Sequence, residues 1–278
     1  MLNHNDNYIY KYVPFGVNTL KCLIKNELWF GSPHNLNDPF ESKFDINFIG
    51  GDLPTSDALI DFYQNDLLIN TAVKEKIIRL GIDVNFILRD ITECLQKSIK
   101  EKFGICSFSK SYLDTRMWSH YAESHSGICL IFDKEILYNS FSKNSFGYHI
   151  LESDIIYSEF PHSINISFVN NKVCVNDFDR EKIINSKLLD WQDEKEIRYS
   201  IEFFNPNSPR AIPFNPEALQ GIILGEKIDH DNAGTLVHLL KNNKDFIWAK
   251  AFMNYTIGKM DSYYIKPTIQ QPSNQVIF

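Results

Sequence analysis

The sequence predicts a single α+β domain over residues 1–278, with flanking helices around a mixed, largely antiparallel sheet that is either continuous or split. Two observations predict this class. Short runs of strand formers, such as 127–133 and 219–225, are bounded by glycine or polar residues. Residues 58–102 instead carry apolar side chains at helical spacing, which indicates a helical insertion over about 55–102 beside the sheet.

The other elements follow from local patterns. Alternating aromatic and aliphatic residues predict strands, and apolar residues three or four apart predict helices. The loop at 32–41 holds two prolines, which exclude a regular element. In chain order we expect a strand at 8–13, a helix at 17–26, strands at 28–30, 103–109 and 127–133, a strand at 196–203, a strand at 219–225, a helix at 231–240 and a strand at 246–251.

The stretch 116–127 combines aromatic rings and hydrogen-bonding side chains between two predicted strands. Asp114 is a good N-cap for a short helix, and Gly127 is its expected C-cap. Trp118, Tyr121 and the neighbouring histidines offer both stacking faces and polar tips. We therefore expect this stretch to line a binding pocket or to pack as core.

Composition limits the class of protein. The formal net charge is -7, which argues against a broad nucleic-acid footprint. No segment has eighteen consecutive apolar residues, and the N-terminus does not resemble a secretory signal, so we expect no membrane association. The five cysteines are odd in number and scattered, which is typical of free thiols in a reducing cytoplasm.

Metal binding and serine nucleophiles are weakly supported. His120 and His125 are five residues apart, which on a helix separates them by about 140°, whereas paired ligands usually sit at i and i+4. We expect no metal. Ser107, Ser109 or Ser119 could join a histidine in a triad, but there is no Gly-x-Ser-x-Gly elbow.

Two charged segments are further candidates. Asn37, Asp38 and Glu41 lie in the rigid loop after the second strand, where a carboxylate could face a cleft. Glu194, Glu196 and Arg198 would share one strand face if that strand begins at Glu194. Such a row is either a salt-bridge ladder, which we expect to be exposed, or a charged active-site wall.

Several short motifs, in this order, resemble the bacterial family known as domain of unknown function 2971 (DUF2971). The resemblance covers about residues 8–225, and the family implies no established reaction. The motifs are Tyr10-Lys11-Tyr12, Leu28-Trp29-Phe30, Asn37-Asp38-Pro39-Phe40-Glu41, Cys106-Ser107-Phe108-Ser109, Met117-Trp118-Ser119-His120-Tyr121 with His125 and Gly127, Trp191 with Glu194, Glu196 and Arg198, and Gly221-Ile222-Ile223-Leu224-Gly225.

The order of motifs is also similar to that of ADP-ribosyltransferases. Those enzymes carry an Arg, His or Tyr, then a Ser or Tyr, then a Glu on successive strands. The similarity implies that NAD is the substrate, that aromatic rings hold its nicotinamide, and that a carboxylate stabilises the developing ribosyl cation. The matching positions here are Tyr10, Lys11 or Tyr12 first, Ser107, Ser109 or Tyr121 second, and Glu194 or Glu196 third.

Three hypotheses follow. The first is an ADP-ribosyltransferase-like effector of toxin or phage-defence type with Glu196 catalytic, in which Tyr10, Trp118 or Tyr121, and Glu196 face one cleft. The second is a non-catalytic module that binds a nucleotide, a small molecule or a protein partner of a defence or toxin–antitoxin system, in which Glu196 pairs with Arg198 or Arg116. The third is a hydrolase or nuclease that uses His120, His125 and a carboxylate.

Overall fold

The computed structural model describes residues 5–52, 55, 57, 84–143, 147–170, 172–176, 180–241, 245–270 and 275–277. The chain divides into two compact units. The first contains residues 1–31, 104–155 and 192–278, and the second contains residues 32–103 and 156–191.

The described part of the chain contains more strands than helices. The strands are β1 (Tyr8–Val13), β2 (Glu27–Trp29), β3 (Phe44–Gly50), β4 (Phe103–Ser109), β5 (Ile128–Asp133), β6 (Tyr148–Asp154), β7 (Ile156–Ser158), β8 (His162–Val169), β9 (Lys172–Asn176), β10 (Ser186–Leu188), β11 (Glu196–Phe203), β12 (Ala211–Pro213), β13 (Leu219–Leu224), β14 (Ile247–Asn254), β15 (Lys259–Tyr264), β16 (Thr268–Gln270) and β17 (Gln275–Ile277). The helices are α1 (Val17–Lys25), α2 (Val84–Lys102), α3 (Thr115–Tyr121), α4 (Lys134–Lys143), α5 (Arg180–Ile184) and α6 (His230–Leu240).

The first unit is built on an eight-stranded sheet in the order β15-β14-β13-β5-β1-β4-β11-β6. Strand β1 lies antiparallel to both β4 and β5, and β6 lies antiparallel to β11. The pairing of β13 with β14 is parallel. The α+β class and the mixed, mostly antiparallel sheet are therefore confirmed.

Side-chain alternation divides the sheet into two apolar layers. Ile9 of β1 packs in one layer with Phe108 and Phe132, and helix α4 adds Phe141 to this layer. Successive residues of a strand point to opposite faces. Tyr10 and Tyr12, which are two residues apart, therefore pack in the other layer with Trp118. The candidate site residues of β1 therefore lie on both faces of the sheet, with Tyr10 and Tyr12 on one face and Lys11 on the other.

Two glycines allow the chain to pack closely where helix α3 leads into β5. A Cβ on Gly127 would lie 2.4 Å from the carbonyl oxygen of Val13, and one on Gly225 would lie 2.3 Å from that of His125. Helix α3 ends at Tyr121, so Gly127 is not its C-cap, contrary to the sequence prediction. Instead, Glu123, Ser124 and His125 form a left-handed turn with positive φ.

The second unit contains a three-stranded sheet, in which β3 and β8 are parallel and β8 and β9 are antiparallel. Its buried side chains include Phe44, Ile164 and Ile166. Strand β3 was not predicted, although Phe44, Ile46 and Phe48 alternate with polar residues at the period of a strand. Helix α2 agrees with the predicted helical insertion, whereas residues 58–83 lie outside the described residues.

No helix in the described part of the chain combines the length and apolar character needed to cross a membrane.

Candidate functional site

Strands β1 and β4 and the turn before β11 bring three of the predicted motif positions together. Tyr10 is paired with Ser109 across the β1–β4 ladder. The hydroxyl of Ser109 is buried and donates a 2.7 Å hydrogen bond to the backbone carbonyl of Glu194. It also accepts a hydrogen bond from the backbone N–H of Ser111 at 3.1 Å. The end of β4 is therefore tied directly to the segment that carries the two glutamates.

Helix α3 places Tyr121 next to Glu194. Asp114 caps the helix, and its carboxylate accepts hydrogen bonds from the N–H groups of Arg116 and Met117, as its position before the helix predicts. The helix ends at Tyr121, whose phenol donates a 2.7 Å hydrogen bond to Oε1 of Glu194. Both side chains are half-buried. Glu194 is thus held at its side chain by α3 and at its backbone by β4.

Glu196 and Arg198 form a buried ion pair. The strand begins at Glu196, so Glu194 ends a 3-10 turn and does not continue the strand face. Oε1 of Glu196 accepts hydrogen bonds from Nε and Nη2 of Arg198 at 2.9 and 2.7 Å. The guanidinium is fully buried, and the carboxylate is 4% exposed. The expectation of an exposed salt-bridge ladder was wrong.

The aromatic side chains that were predicted to bind a ligand belong to the core of the first unit. Trp118 is fully buried and donates its indole N–H to the carbonyl of Tyr112 at 2.8 Å. Tyr12 meets the Trp118 ring edge-on at 5.2 Å between centroids, and its phenol donates to the carbonyl of Ser111. The Tyr10 ring lies tilted against the Tyr112 ring, with 5.1 Å between centroids, and burial raises the pKa of the Tyr10 phenol. The buried Trp118 and Tyr12 rings offer little surface to a ligand.

Lys11 stands on the opposite face of β1 from Tyr10 and Tyr12. Its Nζ donates to the carbonyl of Ser107 at 2.9 Å and lies 5.1 Å from the centroid of the Phe108 ring. Ser107 therefore contacts Lys11 through its backbone. The first motif thus presents tyrosines on one face of the sheet and a cation on the other.

The two histidines differ in environment. His120 is exposed. His125 is buried, its Nε2 lies 3.1 Å from Oγ of Ser119, and its Nδ1 has no hydrogen-bond partner among the described residues. Burial lowers the pKa of His125, Lys227 lowers it further, and Glu226 opposes them. A Ser–His contact exists, but the orienting carboxylate of a triad is missing at Nδ1 within the described residues.

The remaining predicted residues lie in the second unit. Asp38 is buried, and its Oδ1 accepts the N–H of Phe40 at 2.8 Å, a turn in which the side chain caps the backbone. Glu41 is also buried and lines a cavity of about 240 Å³. Asn37 is exposed. Their predicted roles as ligands stay predictions.

Among the described residues, no group of three or more His, Cys, Asp or Glu side chains lies close enough together to hold a metal ion.

Three residues at the site were not predicted from the sequence: Tyr112, Ser111 and Lys195. Tyr112 receives both the Trp118 indole and the Tyr10 ring, and Ser111 links β4 to Tyr12. Lys195 lies between the two glutamates that were singled out, so its position was a usable signal. Tyr112 and Ser111 follow strand β4 in an irregular segment, where periodicity carries no information.

The family model described as "Protein of unknown function (DUF2971)" matches residues 117–199. The matched segment runs from helix α3 to strand β11 and covers less than half of the chain. It includes Trp118, Tyr121, Glu194, Glu196 and Arg198. No curated protein and no solved structure matches the chain. The match confirms the predicted similarity to the proteins of unknown function called DUF2971 over this segment.

Proposed function

We propose that the chain is an ADP-ribosyltransferase-like enzyme that uses NAD as its substrate, with Glu194 as the catalytic carboxylate. The observation that carries the proposal is the meeting of three motif positions. Tyr10 is paired with Ser109, the Ser109 hydroxyl holds the backbone of Glu194, and the Tyr121 phenol holds its carboxylate. This is the order of residue types that the resemblance implies.

The chemistry needs a carboxylate that is fixed in place and accessible. Breaking the nicotinamide–ribose bond releases nicotinamide and leaves positive charge on the ribose, which a preorganised anion stabilises. An acceptor hydroxyl, amine or water then bonds to the ribose carbon and loses its proton. Glu194 is half-buried, whereas Glu196 is buried and bonded to Arg198. We therefore assign the catalytic role to Glu194 and a structural role to Glu196.

The test is consumption of labelled NAD by the full chain, with and without cell extract as acceptor. Glu194→Gln keeps the size of the side chain and removes its charge, so we expect NAD hydrolysis or transfer to fall by about 10²-fold or more. Glu123→Gln, at an exposed residue, is the matched control and should keep full activity. Equal turnover by Glu194→Gln and the unaltered chain would refute the assignment.

The proposal includes an effector role of toxin or phage-defence type, because covalent modification of cellular targets with consumption of NAD arrests growth. Induced expression in bacteria should slow growth, and Glu194→Gln should relieve this effect at equal protein level. Equal toxicity of the two proteins would count against the effector role.

A second function, a non-catalytic binding module, is favoured by one observation. Glu196 pairs with Arg198, as that hypothesis predicts, and the pair is buried. In this case the charged residues stabilise the fold, and the chain binds a nucleotide, a small molecule or a protein partner. NAD that is bound but never consumed would support this function over the enzyme.

A further inference from the structure

A cavity of about 430 Å³ opens next to the segment that carries Glu194. Its polar lining comes from Ser111, Asp114, Thr115, Arg116, Lys195 and Lys259. All these residues belong to the first unit. The volume is in the range of small-molecule sites.

Lys195 lines this cavity, and its backbone is left-handed. Its φ is 47°, which costs a non-glycine residue about 1 kcal/mol or more. The conformation is held on both sides, since its N–H donates to the carbonyl of Gln192 at 3.2 Å and its carbonyl accepts the N–H of Lys110 at 3.0 Å. Lys195, the residue between the two glutamates, thus lines the cavity with its backbone held in this conformation.

The charges of the cavity are unevenly balanced. Arg116 pairs with Asp193 and with Asp114 at 3.5 Å, and the other oxygen of Asp114 is used in capping helix α3. Within the described ranges, Lys195 and Lys259 have no carboxylate partner. Two unneutralised ammonium groups thus line one cavity in a chain whose net charge is -7. This local reversal of sign favours an anionic ligand.

We infer that this cavity binds the phosphate or diphosphate group of a ligand, with Lys195 and Lys259 as the charged donors and the hydroxyls of Ser111 and Thr115 as neutral donors. Ammonium groups bind phosphate oxygens through charge-assisted hydrogen bonds. The identification of this group with the diphosphate of NAD rests on the proposed function. Anion binding itself rests only on the cavity and its charges.

Isothermal titration of the full chain with pyrophosphate, inorganic phosphate and ADP-ribose tests the inference. We expect saturable binding of pyrophosphate and ADP-ribose that weakens as salt is raised, because salt screens exposed charges. Lys195→Gln and Lys259→Gln should each weaken binding about three- to tenfold. Lys241→Gln removes the same charge from an exposed residue after helix α6 and should leave binding unchanged.

The outcomes separate this inference from the proposed enzyme. Pyrophosphate binding that depends on Lys195 and Lys259, without any NAD turnover, supports the anion site and counts against the transferase. Tighter binding of ADP-ribose than of pyrophosphate assigns the site to a nucleotide, and equal binding assigns it to the phosphate groups alone. The inference is overturned if no anion binds at low salt, or if Lys241→Gln weakens binding as much as the two cavity variants.

Discussion

The phenol of Tyr121 and the carboxylate of Glu194 lie 73 residues apart in sequence and are joined by a hydrogen bond of 2.7 Å. The bond links the last residue of helix α3 to the turn before strand β11. An ionised acceptor makes such a bond stronger than one between neutral groups. It holds the carboxylate that we propose as catalytic.

Removing this bond should cost both stability and activity. Tyr121→Phe deletes only the hydroxyl, so we expect the free energy of unfolding to fall by about 1 kcal/mol and NAD turnover to fall with it. Urea denaturation and the NAD assay measure the two effects. Tyr255→Phe makes the same change at a residue that is 83% exposed and should alter neither. Wild-type stability and turnover in Tyr121→Phe would show that the bond is dispensable.

The buried pair of Glu196 and Arg198 should respond asymmetrically to substitution. Glu196→Gln or Arg198→Met removes one of the two charges of this buried pair, and we expect each to destabilise the fold by about 3–5 kcal/mol. The double variant should recover part of this loss, because neither charge is then buried. Chemical denaturation measures the free energy of unfolding of the two single variants and the double variant.

Glu101→Gln is the control for charge removal. Its carboxylate pairs with Lys97 at 3.9 Å on the exposed surface, so the loss should be about 0.5 kcal/mol or less. Single variants at Glu196 or Arg198 that match this small loss would contradict the structural role of the buried pair.

Gly127 should not tolerate a side chain. A Cβ at this position would lie 2.4 Å from the carbonyl oxygen of Val13 and 3.0 Å from the backbone of Ala122. Backbone atoms cannot move aside cheaply, so Gly127→Ala should lower the free energy of unfolding by about 1–3 kcal/mol or prevent folding. Gly147→Ala, where no atom of the described residues lies within 4 Å of the added carbon, should be close to neutral, and thermal unfolding measures both variants.

His125 should make stability depend on pH. Burial and Lys227 lower its pKa in the folded state, so the unfolded state binds a proton more readily. The neutral imidazole therefore contributes to the free energy of unfolding above the ordinary histidine pKa of about 6.5, and this contribution is lost as the pH falls below that value. His125→Gln should therefore flatten the decline in stability between about pH 7.5 and 5.

The exposed His120 provides the comparison for this titration. His120→Gln should keep the pH dependence of the unaltered chain, measured by denaturant unfolding at each pH. A decline that is equally steep in His125→Gln would exclude His125 as its source.

Features that depend on neighbours in sequence were predictable. Asp114 was identified as an N-cap because its side chain precedes the helix that it caps, and the apolar runs of β5 and β13 identified two buried strands. The predicted end of helix α3 at Gly127 was wrong. The left-handed turn at Glu123, Ser124 and His125 uses residue types that tolerate other conformations, so no local signal marks it.

By itself, the sequence determined the α+β class, most strands of the eight-stranded sheet, helices α1 and α6 and the residue types of the candidate site, because alternation and capping are local properties. Only the tertiary structure decided that Glu194 meets Tyr121, that Glu196 is buried against Arg198, and that Lys195 and Lys259 share a cavity. Burial and pairing depend on which distant segments meet, and residues 64 positions apart, such as these two lysines, share no local pattern. The physical reason is that a side chain's solvent and partners, and hence its chemistry, are set by strand order and packing.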